Sequence, residues 1–400
     1  MKQDGFVINK KSIHLFLDVI IFIFFFNPWY FGQSAILDIL VNAIRLGIFG
    51  IYLIEYLYLN RSDKIVYLYS IIFGIVLFST IYNGDSAVLA FTRYFPTIAI
   101  LMLVTIRRNS IIQRVIKPVF IAAEILIIIN TIFILMFPNG YYVTERGMQF
   151  WFLGQKQEFV AVYMPALFCC ALLWNDKKYK RHIVIAIALM VYTMLVALPL
   201  GLLLAFGILG IGLLISHRRA ITFKGMTLLL FNGLFEGIMV FVAFNYQNLL
   251  YLQGFLGTIG TGIVTKADTI AARVRIWDNA IDIFERYSFA GAGVISQERY
   301  SALTGLASYD YTPQFHNMGF DLAATGGIIA IVVYVVINIM AFSKLDKSTS
   351  KYSNTLKWIL FTMNVLSLTE VVYISFCAMM YSIAMYVDKI QVEELNEKKF

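Results

Sequence analysis

"NDKKYKRHIVIAIALMVYTMLVALPLGLLLAFGILGIGLLISHRR", residues 175–219, begins and ends in basic residues and is apolar between them. A bilayer crossing takes roughly 20 helical residues, so the block over 182–216 is too long for one crossing. Membrane proteins concentrate Lys and Arg in their cytoplasmic loops. Both basic flanks therefore belong on one side, and only an even number of crossings returns the chain there. Pro199, near the middle of the block, suits a turn between helices. The stretch reads as a tight hairpin of two membrane helices, 182–198 and 200–216.

The same reading extends over the whole chain. Of its 400 residues 60% are hydrophobic and 14% charged, with mean hydropathy +0.76. Soluble domains run nearer about 45–50% apolar and about 25% charged. Apolar spans are expected at about 13–31, 35–59, 65–82, 87–106, 118–138, 158–174, 182–198, 200–216, 225–247, 318–342, 357–370 and 372–387. The fold class is thus an all-α polytopic membrane protein with about 12 transmembrane helices, residues 1–400 forming a single integral membrane domain. Lys10-Lys11 before "SIHLFLDVIIFIFFF" reads as the cytoplasmic flank of an uncleaved first helix.

With both termini cytoplasmic, 23 of the 32 Lys and Arg fall on internal segments, seven on external ones, and Arg45 and Arg93 inside spans. The net charge of +8 thereby marks topology, not nucleic acid. Cys169, Cys170 and Cys377 all lie in apolar runs without metal-ligand or paired spacing, as small buried hydrophobes do. No metal and no cofactor is expected. Two external loops are long, 139–157 and 248–317. The second, between spans 9 and 10, is rich in Tyr, Phe, Ile and Leu, and loops of that length are commonly functional.

Inside it, "TIAARVRIWDNAIDIFERY", residues 269–287, has apolar residues at Ile270, Val274, Trp277, Ile281 and Phe284. That is amphipathic helix spacing, suited to a membrane surface. Arg275 with Asp278, and Asp282 with Arg286, can pair along that helix. Arg273 has no carboxylate within a turn; it is left for an external anion or for lipid headgroups. "SFAGAGVIS", residues 288–296, follows, with Gly291 and Gly293 permitting positive φ. Then His316-Asn317 opens span 10, and His316 is the one external histidine of the four. It reads either as a general base or hydrogen-bond donor, or with Asn317 as a helix cap; alone it makes no metal site. The shorter loop, within "YYVTERGMQFWFLGQKQEFVAVYMPAL" (141–167), adds the external cations Arg146 and Lys156 among aromatics. Arg45 and Arg93 are costly inside spans, with Glu124 and Glu236 as internal partners or with an anionic ligand between them. Together these arginines suit a lipid pyrophosphate, whose oxygens Arg grips in bidentate fashion.

"ARVRIWDNAIDIF…AGAG…HNMGFDLAATGG" resembles the signature of the bacterial O-antigen polymerase and ligase superfamily, the Wzy-type proteins. The matching positions are Arg273, Trp277, Gly291, Gly293, His316-Asn317 and Gly326-Gly327. "RGMQFWFLGQKQEFVAVYMPAL" is similar to the family's Arg, then Gly-x-x-Asn, with Gln157-Glu158 standing where an asparagine is common. The Ser-Arg often seen in spans 7–8 is absent. The resemblance implies an extracytoplasmic, metal-independent and inverting glycosyltransferase in the bacterial cytoplasmic membrane. Its substrate is then an undecaprenyl-pyrophosphate-linked oligosaccharide, polymerised into capsule, O-antigen or exopolysaccharide with lipid pyrophosphate as leaving group. Partners it implies are membrane lipids, a chain-length regulator and a flippase of the same pathway. The site it implies has His316 and Arg273 as catalytic residues. Arg146, Arg93, Arg275, Lys156, Trp277, Asn317 and Arg45 then bind substrate. Here Arg273 stabilises the departing pyrophosphate, and His316 accepts or orients the proton of the attacking hydroxyl. A ligase shares these motifs. The Ile-, Lys-, Asn- and Tyr-rich composition suggests an AT-rich, Gram-positive source without lipid A and so favours a polymerase. A lipid-linked oligosaccharide flippase is the rival from another class; the long external loop speaks against it.

Overall fold

Backbone N–H and C=O groups in hydrocarbon have no water to bond, so a membrane chain satisfies them within helices. The structure, a computed structural model, describes residues 10–145, 147–217, 223–245, 261–304, 314–371 and 376–397. The apolar stretches of the sequence are occupied by helices: α1 (Lys10–Phe26), α2 (Ala35–Tyr58), α3 (Lys64–Tyr82), α4 (Ala87–Ile106), α5 (Lys117–Met136), α6 (Val160–Leu173), α7 (Lys180–Ala197), α8 (Leu200–His217) and α9 (Gly225–Phe244). After the long loop's helices α10 (Thr261–Arg286) and α11 (Gln297–Thr304) come α12 (Met318–Lys347), α13 (Ser353–Leu366), α14 (Phe376–Met385) and α15 (Val387–Glu397). Seven of the described helices are long and apolar enough to cross a membrane: α2, α3, α4, α5 with the π turn before it, α7, α9 and α12. Among the described residues the protein is all-α, apart from a two-residue-a-side hairpin of Tyr142–Val143 and Gln149–Phe150. It is of the membrane-helix class.

Two stretches differ from the sequence reading. The first, 13–31, is not one helix: α1 stops at Phe26, Asn27 takes φ 46°, and Pro28 leads into the 3₁₀ turn Trp29–Gln33. Proline disfavours helical geometry in the residue before it. The amphipathic helix of the long loop, for its part, starts at Thr261 and not at 269. In the 182–216 block Leu198 adopts φ 53°, ψ 54° and ends α7, with α8 starting two residues on. The turn is therefore at Leu198-Pro199, as the proline suggested.

Lipid chains are as apolar as leucine, so close packing and polar ties hold such bundles together. At one end they are side-chain pairs between helix termini. Asp63, ahead of α3, accepts from Ile65 N (2.7 Å), Thr105 Oγ1 (2.8 Å) and Tyr386 Oη (2.8 Å). Nearby, Arg114 grips Asp18, Lys117 pairs with Asp176 at 3.2 Å and Lys357 with Asp346 at 2.7 Å. Each joins segments that the sequence assigns to the same face.

The opposite end is held through backbone. Helix α12 packs on α3, α9, α10, α13 and α14, and it is broken at Gly327 (φ 63°, ψ −162°). The segment 288–293 lies in the break. Ala292 N donates to Ala324 O (2.7 Å), Gly293 N to Thr325 O (2.9 Å), and Ile328 N to Ser288 O (2.8 Å). Helix α3 holds the far side: Ser79 Oγ donates to Ala290 O (2.6 Å) and Val294 N to Thr80 Oγ1 (2.9 Å). Gly291 and Gly293 both have positive φ, and a Cβ on either would run into backbone, of Thr325-Gly326 and of Thr80 respectively. The sequence pattern AGAG…TGG is thus a strap and its slot.

Gly291→Val is expected to lower thermal stability in detergent, with about 1–2 kcal/mol from the left-handed backbone alone and more from the clash. Gly74→Ala, whose Cβ meets nothing within 4 Å, serves as the unaffected control.

Candidate functional site

The strap sets α10 against the first half of α12, and the first turn of α12 becomes a junction. Asn317 caps it, Oδ1 accepting from Phe320 N at 3.0 Å. Its amide reaches Leu368 O (3.2 Å) and Glu236 of α9 (3.4 Å). Met318 N donates to Ser367 O at 2.9 Å. Phe320 stacks on Trp277 of α10, with centroids 5.5 Å apart. Asp321, fully buried, pairs with Arg93 of α4 at 2.7 Å and accepts from Phe315 N at 3.3 Å. His316 has φ 52°, a strained conformation for a residue with a side chain and one that clusters at functional sites. Its Nδ1 lies 3.7 Å from Glu370 and makes no hydrogen bond among the described residues.

Glu370, just beyond α13, also accepts from Arg273 at 3.2 Å, and Arg273 donates to Thr369 O at 2.6 Å. Among the described residues Arg273 thus has no partner along its own helix, and it is engaged from a distant segment. An anion at Arg273 would compete with Glu370 for the guanidinium. The intramembrane pairings differ from those the sequence offered. Glu124 meets His182 Nδ1 (3.0 Å), Glu236 meets Asn317, and Arg93 takes Asp321. Arg45 donates to Asn42 Oδ1 (2.9 Å) and lies over Phe95, 5.4 Å from the ring centroid.

Of the residues proposed from sequence, His316, Asn317, Arg273, Trp277 and Arg93 come together around this one turn. Arg275 is exposed on α10. Farther along that helix Arg286 donates to Leu303 O at 3.1 Å. Asp278 is held above the ordinary carboxylate range by burial and then by Asp282. Lys156 is exposed in a turn whose neighbours Leu153 and Glu158 face Trp29 across a crevice, on elements other than those carrying His316. Arg45 packs on α4 without entering the junction's bonds. Arg146 lies outside the described residues, as do 248–260 and 305–313 of the long loop. Sequence reading missed Asp321, although a carboxylate four residues after a helix cap and inside an apolar run is a costly placement. It did single out Glu236, but as a partner for an arginine and not for Asn317.

The described residues contain no group of three or more His, Cys, Asp or Glu able to hold a metal. What the junction offers is two arginines matched by two carboxylates, an unpartnered imidazole nitrogen, and a fixed amide. Such a set can exchange an internal carboxylate for a substrate anion and present a hydrogen-bonding group beside it. Fold and site together define a membrane-helix protein with a polar junction at one end of the bundle. No protein-family model matches the chain, and no curated protein does.

Removing one partner of a buried ion pair costs roughly 3–5 kcal/mol. Asp321→Ala should therefore lower the midpoint of unfolding in detergent strongly, and Arg93→Ala/Asp321→Ala should recover much of it. Equal destabilisation by the single and double variants would remove the pair from this account.

Proposed function

We propose that the protein polymerises undecaprenyl-pyrophosphate-linked oligosaccharide repeat units at the outer face of the bacterial cytoplasmic membrane. In this reading the chain crosses that membrane twelve times, with both termini cytoplasmic and 248–317 outside. The observation that carries it is the junction itself: Arg273 and Trp277, on a helix remote in sequence from His316 and Asn317, meet them around one strained histidine.

The chemistry is glycosyl transfer. The lipid pyrophosphate of the growing chain leaves, and charge develops on its oxygens. Arg273 and Arg93 neutralise that charge once Glu370 and Asp321 yield to it. His316 orients the attacking hydroxyl of the incoming repeat unit. Asn317 holds the turn in which the histidine sits, and the Trp277–Phe320 stack fixes α10, hence Arg273, over the lipid headgroup. Lys156 and Arg146, on the other external loop, add cations for the remaining phosphate or for acidic sugars.

The test is a deletion strain complemented with wild type, His316→Ala or Arg273→Ala. Surface glycan is sized on a gel and the amount of protein in the membrane is measured. Both variants should insert at wild-type levels and leave single repeats on lipid, with long polymer reduced about a hundredfold or more. Long polymer from both variants would refute the mechanism. Repeats retained on the cytoplasmic leaflet would point to a flippase, and single repeats moved to another acceptor to a ligase.

A further inference from the structure

Helix α9 touches the rest of the protein along one narrow stripe: Gly225, Leu228, Asn232 and Ala243 are its buried residues. Glu236 lies on that stripe, one turn beyond Asn232 and two before Ala243. The other face, with Leu230, Leu234, Ile238 and Phe241, is apolar and exposed. A carboxylate on such a helix is expensive, and its usual explanation is a cation across the seam. Glu236 has none: no ion pair joins it to a Lys, Arg or His among the described residues. Its Oε2 receives only the 3.4 Å contact from Asn317 Nδ2. Among the described residues its Oε1 is buried with no hydrogen-bond partner, and both amide atoms of Asn232 are in the same condition. Desolvation of Oε1 is thus offset by no bond.

The space around this oxygen is shaped for it. A Cβ on Gly319, in the first turn of α12, would run into Glu236 Oε1. The glycine of "HNMG" therefore admits the carboxylate to the turn that carries His316 and Asn317. The same amide that caps α12 fixes the carboxylate's other oxygen. Asn317 joins two carboxylates to this turn: His316 beside it lies 3.7 Å from Glu370, which Arg273 engages, and its own Nδ2 reaches Glu236.

We propose that Glu236 is the carboxylate that takes the proton from the attacking sugar hydroxyl, an assignment that rests on the glycosyl-transfer reading above. In that step the acceptor O–H bond breaks and its proton goes to Glu236 Oε1. The acceptor oxygen bonds to the anomeric carbon of the lipid-linked chain. The anomeric C–O bond to phosphate breaks, and its electron pair leaves with the undecaprenyl pyrophosphate, beside Arg273. Asn317 is then a positioning residue for the base, and His316 orients the hydroxyl from the phosphate side. The other titratable groups on elements packed against α9 are Asp321, Tyr334, Lys344, Asp346 and Lys347 of α12, Lys357 of α13, and Arg273, Arg275, Asp278, Asp282, Glu285 and Arg286 among the described side chains of α10, with His316 just ahead of α12. Glu370, in the turn after α13, adds to these.

The experiment uses full-length protein in liposomes with undecaprenyl-pyrophosphate-linked repeat units, and it reads polymer formation against pH. Binding of undecaprenyl pyrophosphate alone is measured in parallel. Glu236→Gln keeps the shape and the acceptor for Asn317 but cannot take a proton. It should lose about a hundredfold or more in rate, lose the rise of rate with pH, and bind undecaprenyl pyrophosphate like wild type. Glu236→Asp, which keeps the carboxylate, should retain part of the rate and a displaced pH profile, and it serves alone if the Gln variant fails to fold. A Gln variant within about threefold of wild type, or an Asp variant with an unmoved profile, overturns the assignment while leaving the function intact. So does a Gln variant that loses rate and pyrophosphate binding alike. If wild type itself forms no glycosidic product, the functional reading falls and takes this assignment with it.

Discussion

Peptide groups inside hydrocarbon must find partners, and the structure turns on how that rule is met where α12 breaks at Gly327. An interrupted helix frees carbonyls above the break and amides below it. Here the carbonyls of Ala324 and Thr325 and the amide of Ile328 are taken up by residues 288–293. That segment is itself bonded to Ser79 and Thr80 of α3. One constraint therefore fixes three elements at once. It places α10 beside the first half of α12 and sets both at the end of α3.

From that arrangement the polar junction follows. The half-helix that begins at Asn317 has its first-turn amides capped within the protein, so it can start in a buried place. Its short first turn collects contacts from α4, α9, α10 and the turn after α13. The arginines do not sit there as bare charges, since each is matched by a carboxylate from a remote segment. Such matching keeps buried cations tolerable, and in the function proposed above it would make the binding of an anion an exchange of partners. The left-handed backbone at His316 is held by the bonds on either side of it, from Phe315 N to Asp321 and from Met318 N to Ser367 O.

Much of the helix order was legible because apolar length and basic flanks are local signals. The turn at Leu198-Pro199 followed from charge parity and one proline. The end of α1 at Asn27-Pro28 was also a local signal, but it was submerged in the apolar run that continues through Trp29. The site residues on α10 and at His316-Asn317 were legible as a motif. Their partners were not. Arg93 and Asp321 stand 228 residues apart, and nothing in either neighbourhood singles out the other. Glu236 read as a counter-ion for an arginine, because a carboxylate's partner depends on packing and not on spacing. Gly326-Gly327 read as a match to the family signature; the docked strap shows the helix to be interrupted there.

The strap also bears on how such a chain can drift over evolutionary time. Its bonds run from main chain to main chain or from small hydroxyls, and they need only Gly291, Gly293 and Gly327 to have no side chain. Over much of the bundle, outward positions such as Ile36, Ile39, Leu230 and Phe241 are apolar and exposed among the described residues, and any residue of similar greasiness serves there. Two descendants of one ancestor could exchange most of these positions and keep the same bundle. The record of common descent would then be confined to a few points between 273 and 327, and a search for relatives would do better to weigh the spacing of those points than overall identity.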